Sequence, residues 1–205
     1  MSDRIFVTGG LAALGSVVLA YFLYSQMSGG QAMAADDGPG PNLVMTVAGE
    51  ANGKVVIDLL PEVAPKHVAQ ITELARTGAY NNVVFHRVID GFMAQTGDVQ
   101  FGKVGADLGQ AGSGGSDLPD IAAEFSDLAF QRGVVGMART NDPDSANSQF
   151  FIMFAPADHL NGQYTVVGHV IEGMEVVDKI KRGNPDLGGA VSEAPDRMVG
   201  VTVSE

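Results

Sequence analysis

The chain contains no cysteine. That removes disulfide frameworks, thiolate nucleophiles and cysteine-ligated metal centres together, and it is compatible with an oxidising compartment. Basic residues are scarce, with 12 Lys and Arg against 24 Asp and Glu, a formal charge of −12. A nucleic-acid surface needs a basic patch to displace phosphate counterions, and adhesion to anionic lipid needs the same charge. Neither role fits, and the acidity reads as solubility. Several chemistry-bearing patterns are missing too. The glycine-rich run Gly112-Ser113-Gly114-Gly115-Ser116 lacks the Lys-Ser/Thr ending of a phosphate loop and the flanking pattern of a serine-hydrolase elbow. His86, His159 and His169 have no i,i+4 partners for a metal. Asp142 and Asp144 lack the glycine and closing glutamate of a calcium loop, so Thr140–Asn147 reads as a polar turn. No metal and no cofactor is expected.

What is present suits one domain with an appendage. The 205 residues are 45% hydrophobic, enough for a core, and 27 glycines favour a turn-rich β protein over a helical bundle. Ile5 to Tyr24 carries no charge, with Arg4 before it and Tyr21, Phe22 and Tyr24 near its far end. Its length suits a transmembrane helix with interfacial aromatics. A cleaved secretory signal competes, because Ala32-Met33-Ala34 has the small-x-small form of a signal peptidase site. The anchor is the first reading; both send the remainder out of the cytoplasm. We divide the chain into an anchor or signal segment (1–27), a flexible Gly/Ala/Pro-rich linker (28–41) and a globular domain (42–205).

Within the domain, Asn42–Val47 and Lys54–Leu60 read as paired strands. Pro61–Thr77 reads as a helix with Pro65 near its start, Gly78 at its end and Val68, Ile71, Leu74 and Ala75 as its apolar stripe. His67 reads as an exposed histidine on that helix. Phe130–Ala138, Gln149–Phe154, Tyr164–Ile171 and Met198–Val203 read as further strands, and Gly173–Lys181 as a second helix. The organising stretch is Phe85–Asp98, two strands around an Asp90-Gly91 turn. Alternation puts Phe85, Arg87 and Ile89 on one face and His86 and Val88 on the other, with Met93 and Gln95 together in the second strand. A face mixing Arg and Gln with large apolar groups suits a groove better than a core.

This run resembles the central signature of the cyclophilin family of peptidyl-prolyl cis-trans isomerases. Met137-Ala138-Arg139-Thr140 leading to Ser148-Gln149-Phe150-Phe151-Ile152 is similar to the family's next motif, and Leu160-Asn161-Gly162-Gln163-Tyr164-Thr165-Val166-Val167-Gly168 to its later groove strand. Three blocks in order, over roughly Asn42 to Ser204, make the resemblance specific. It implies a mainly β fold: a closed eight-stranded antiparallel barrel capped by two helices, here preceded by the N-terminal apolar helix. Pattern alone leaves barrel and sandwich undecided. The glycine-rich run would flank the groove, and His86, alternating away from it, would be a satisfied barrel histidine.

The resemblance also implies the chemistry. Arg87, Phe92 and Gln95 would be catalytic, Arg87 donating to the prolyl nitrogen and Gln95 holding the substrate backbone. Met93, Phe151 and Leu160 would grip the proline ring with Phe92, and the main chain at Ala138 and Arg139 would pair with the peptide as an added strand. Taken alone, Phe92, Met93 and Phe151 would read as core packing and Arg87 as half of a surface ion pair. His159 and Tyr164 stand where many members carry tryptophan and histidine; both are expected to bind substrate, and His159 implies weak cyclosporin binding. The expected partners are proline-containing polypeptides, with no nucleic acid, a monomeric state, and the inner membrane through the N-terminal segment. A non-catalytic Pro-peptide-binding chaperone of the same fold is the alternative.

The anchor reading has a direct test. Protease added to spheroplasts should release the domain by cutting between Ser25 and Pro41, whereas a soluble mature form beginning at Ala35 would establish cleavage.

Overall fold

The computed structural model of the protein describes residues 37–204. Ile5–Tyr24, the Ala32-Met33-Ala34 sequence and all of the linker before Asp37 lie outside these residues. Among the described residues no helix is long and apolar enough to cross a membrane. Asp37–Pro41, read from the sequence as linker, lies against the domain: the Leu59 N–H donates to the Pro41 carbonyl at 3.1 Å, and Asn42 Nδ2 donates to Asp37 Oδ1 at 2.9 Å.

In chain order the elements are β1 (Asn42–Ala48), β2 (Gly53–Leu59), α1 (Pro65–Arg76), β3 (Val83–Val84), β4 (Arg87–Ile89), β5 (Met93–Thr96), β6 (Val134–Met137), β7 (Phe150–Met153), β8 (Val166–Glu172), α2 (Met174–Val177) and β9 (Arg197–Ser204). The strands join in one nine-stranded antiparallel sheet, ordered β3-β9-β1-β2-β8-β6-β7-β5-β4. It curls into a half-barrel rather than the closed eight-stranded barrel expected, because its end strands β3 and β4 do not pair. The cause lies at Phe85-His86. Val83–Ile89 reads as one strand, but the chain follows the β9 segment only through Phe85. The Phe85 N–H donates to the Asp196 carbonyl at 2.8 Å, in register with Val83–Met198 and Val84–Arg197, and the chain then leaves β9 to pair with β5. One segment therefore supplies both sheet edges. Thr96 Oγ1 bridges the break by donating to the Val84 carbonyl at 2.9 Å.

Loops cover both edges, satisfying groups that would otherwise invite edge-to-edge association. The Val84 N–H donates to the Gly102 carbonyl and the Val88 N–H to the Gly189 carbonyl, each at 2.8 Å. The same break corrects the expected alternation. Phe85 turns into the main core with Val88, while Arg87 and Ile89 remain half-buried on the other face.

Alternation along the strands produces two apolar clusters. Val88, Ala94, Val135, Phe150, Ile152 and Val167 pack inside the curl with Ile71 and Leu74 of α1. Met93, Val134, Phe151, Met153 and Val166 pack on the outer face with Phe130 and Leu160. Strand β7 is buried on both sides, which is why Phe-Phe-Ile-Met shows no polar alternation.

The start of α1 has no side-chain cap of its own. Glu124 supplies one from a distant loop, accepting the backbone N–H groups of Lys66 and His67 and lying 2.6 Å from His67 Nδ1. Burial alone would raise the Glu124 pKa, but these hydrogen bonds outweigh it and hold it below the usual range. His67 is therefore fully buried instead of exposed as the helix start suggested. The second helix is shorter than expected, a single turn continued by bonded turns to Ile180.

Candidate active site

Cross-strand register assembles the site on the outer face. Arg87 of β4 lies opposite Gln95 of β5, Gln95 opposite Phe151 of β7, and Phe151 opposite Gly136 of β6. The neighbouring row carries Ile89, Met93 and Met153. Residues far apart in sequence thus share one face because each ladder preserves the two-residue period. At the corner the Phe92 N–H closes the Asp90-Gly91 turn on the Ile89 carbonyl at 3.1 Å, with Gly91 at φ 67°. The Phe92 carbonyl then takes the Phe154 N–H at 2.8 Å, holding the corner beside β7.

The floor depends on a missing side chain. A Cβ at Gly136 would come within 2.6 Å of both Phe130 and Phe151. Without it those rings stack at 5.8 Å. Tyr164 meets Phe151 edge-on at 5.9 Å, and the Arg139 guanidinium lies 4.3 Å from the Tyr164 ring centre. The result is a hollow of about 120 Å³ lined by Arg87, Phe92, Met93, Gln95, Ala138, Arg139, Phe151, Leu160 and Tyr164. A larger hollow of about 480 Å³ shares Gln95, Ala138 and Arg139 and is bounded by the Gly112–Ser116 loop and Gln149.

Of the residues singled out from sequence, His159 alone stays off this wall. It sits exposed in the 3-10 turn Asp158–Leu160 and stacks on Phe92 at 5.7 Å, supporting the wall from outside. That turn points Leu160 inward and leaves its predecessor outside. The Ala138 N–H is already committed to the Gln149 carbonyl at 2.9 Å, so an added chain has only the Ala138 carbonyl to use there.

Arg87 is half-buried, and two bonds orient its guanidinium. Nε donates to the Gly188 carbonyl at 3.0 Å and Nη1 to Gln95 Oε1 at 3.2 Å. Among the described residues its other N–H groups have no further hydrogen-bond partner, and the side chain lines the hollow. Gln95 Nε2 donates to Gln149 Oε1 at 2.9 Å, and Gln149 Nε2 donates to the Gly112 and Gly114 carbonyls at 3.0 and 2.8 Å. Sequence reasoning assigned no role to Gln149 or Gly188. Gln149 was visible inside a motif, next to Phe150; the Gly188 carbonyl has no sequence signal, because backbone groups look alike in every residue.

Comparison with known proteins agrees with this geometry. Residues 43–203 match the cyclophilin type peptidyl-prolyl cis-trans isomerase family. The chain is 58% identical over 154 residues to a probable peptidyl-prolyl cis-trans isomerase of Brucella suis, covering 74% of this chain and 78% of that protein. It resembles the solved structure of a cyclophilin from Hirschia baltica with a TM-score of 0.65 at 28% identity, covering 81% of this chain and 74% of that one. A cyclophilin-type isomerase of Cryptosporidium parvum shares the fold with a TM-score of 0.67 at 22% identity, over 80% of this chain and 97% of that one. The chain belongs to the cyclophilin-type peptidyl-prolyl cis-trans isomerases.

His86 departs from the satisfied barrel histidine expected. It is buried at 5% exposure, abuts the glycine-rich loop at Gly112, and among the described residues neither ring nitrogen has a partner at hydrogen-bond geometry. Burial lowers its pKa and Arg87 adds to this; the Asp98 charge and the nearby Val84 and Gln149 groups oppose it without overcoming it. His86 therefore takes up its proton at lower pH than an ordinary histidine, whose pKa is about 6.5. A histidine depressed in the fold contributes stability that is complete above the unfolded pKa and is lost as pH falls below it. Urea midpoints should accordingly fall more steeply between about pH 6.5 and 5 in the wild type than in His86→Gln. Equal slopes would show that His86 does not govern this range.

Proposed function

We propose that the enzyme rotates X-Pro bonds in exported chains, with Arg87 stabilising the twisted transition state. The observation that carries this reading is the half-buried guanidinium held by Gly188 and Gln95 beside a small hollow that Phe92, Met93, Phe151 and Leu160 also line. Peptide rotation is slow, with a barrier of about 18–20 kcal/mol, because resonance gives the C–N bond partial double-bond character. Twisting localises a lone pair on the prolyl nitrogen. A fixed cationic donor then binds the twisted form more strongly than either planar isomer, and no bond need be made or broken.

In this reading Phe92, Met93, Phe151 and Leu160 hold the proline ring, while Gln95 and the Ala138 carbonyl hold the adjoining backbone. The larger hollow beside Gly112–Ser116 takes the flanking chain, since the two hollows share Gln95, Ala138 and Arg139. Arginine does not titrate between about pH 6 and 8, and burial shifts His86 downward, so kcat/KM should be nearly flat over that range. The uncharged Ile5–Tyr24 run supports placement of the domain on the outer face of the inner membrane.

Arg87→Ala should retain its circular dichroism spectrum and lose about ten- to a hundredfold in kcat/KM, matching one charge-assisted hydrogen bond of about 1.5–3 kcal/mol. Full turnover would remove Arg87 from the mechanism.

A second outcome concerns position 159. The exposed His159 ring backs Phe92 instead of walling the hollow, so cyclosporin inhibition should be weak. His159→Trp adds apolar area and an N–H donor at the rim, and should tighten inhibition about thirtyfold with little change in tetrapeptide turnover. Equal inhibition constants would exclude this role for position 159.

A further inference from the structure

Asp98 lines neither hollow, yet it is fully buried and both carboxylate oxygens are engaged with backbone. Oδ1 accepts the N–H groups of Gln100 and Phe101 at 3.1 and 2.8 Å. Oδ2 accepts those of Gly112 and Gly114 at 2.7 and 3.0 Å. The carbonyls of the same two glycines receive both N–H groups of Gln149. The loop is thus clamped between a carboxylate that takes its N–H groups and an amide that donates to its carbonyls. A separate bond, the Ser116 N–H to Asn147 Oδ1 at 2.7 Å, holds the loop's far end.

The clamp sets a polarity. With both Gln149 N–H groups directed at the loop, its oxygen must face Gln95. Gln95 then donates to it through Nε2 and presents its own oxygen to Arg87 Nη1. Reversing Gln149 would place N–H against N–H at Gln95, and reversing Gln95 in turn would point an N–H group at the guanidinium. A two-donor, one-acceptor amide allows no mixed solution along this chain.

We propose that Asp98 is a positioning residue for Arg87. By fixing the Gly112–Gly114 carbonyls it orients Gln149, then Gln95, then the guanidinium. This rests on the role given to Arg87 above. It predicts a loss in kcat more than in KM, because the guanidinium acts in the transition state while a loop that only touched substrate would alter binding.

The test uses two variants that release the loop differently. Asp98→Asn removes the charge that Gly112 and Gly114 share. Gly114→Ala keeps the carboxylate but places a Cβ about 2.5 Å from Asp98 Oδ1, forcing the loop away. It needs no change to a buried side chain, so it remains informative if Asp98→Asn fails to fold. Each should lower kcat about tenfold. Each should also shift the Gln149 and Gln95 side-chain amide signals and the Arg87 Nε–H signal in nuclear magnetic resonance spectra. In an Arg87→Ala background neither should reduce the residual rate much further, since the route to the guanidinium is already cut. Losses that multiply with Arg87→Ala, a change confined to KM, or unmoved Gln149 and Arg87 signals would overturn the proposal. Failure of the Arg87 role itself is distinguished by full turnover in Arg87→Ala alone.

Discussion

A guanidinium taken partly out of water is stable only if its donors are met, and in this protein meeting them also aims the charge. Arg87 sits on a sheet face otherwise occupied by Met93, Phe151 and their neighbours. Gly188 and Gln95 satisfy two of its N–H groups and fix its plane. Neither partner is a carboxylate. In the role proposed for Arg87, a buried ion pair would neutralise the field that a developing lone pair must feel, whereas neutral carbonyl and amide oxygens hold the group and leave its charge available.

Two features of the fold serve that arrangement. The break at Phe85-His86 releases β4 from β9, so Arg87 can pair with Gln95 while Phe85 stays in the main core. The unpaired edge this creates is covered by the 183–190 segment, which also supplies the Gly188 carbonyl to Arg87. The open end of the half-barrel and the orientation of its arginine therefore have one structural cause.

The apolar side of the site follows from packing the sheet on both faces. Outer residues of β5, β6 and β7 bury themselves against Phe130 and Leu160, and the missing side chain at Gly136 lets the Phe130 and Phe151 rings stack beneath the hollow. Arg87, Gln95, Arg139 and Tyr164 supply its polar lining. Such a site combines an apolar grip with few oriented donors, which suits a reaction that needs a twisted geometry and no proton transfer.

Sequence by itself determined much of this. Strand periodicity, the Asp90-Gly91 turn and the helix with Pro65 and Gly78 are local properties, carried by propensity and spacing within a few residues. The three motif blocks named the residues of the hollow because those side chains occur in recognisable runs. Tertiary structure decided the rest. The strand break hides in a continuous β-branched stretch, since its two halves pair with different strands, β9 and β5, and only the folded chain decides which. His67 looked exposed because its partner Glu124 is 57 residues distant. His159 looked like one of the substrate-binding residues because adjacency to Leu160 says nothing of which residue in a 3-10 turn faces inward. The bonds of Gly188 to Arg87 and of Asp98 to the Gly112–Gly114 loop run through backbone carbonyls and N–H groups. These carry no side-chain signature, and only folding brings them within hydrogen-bond reach.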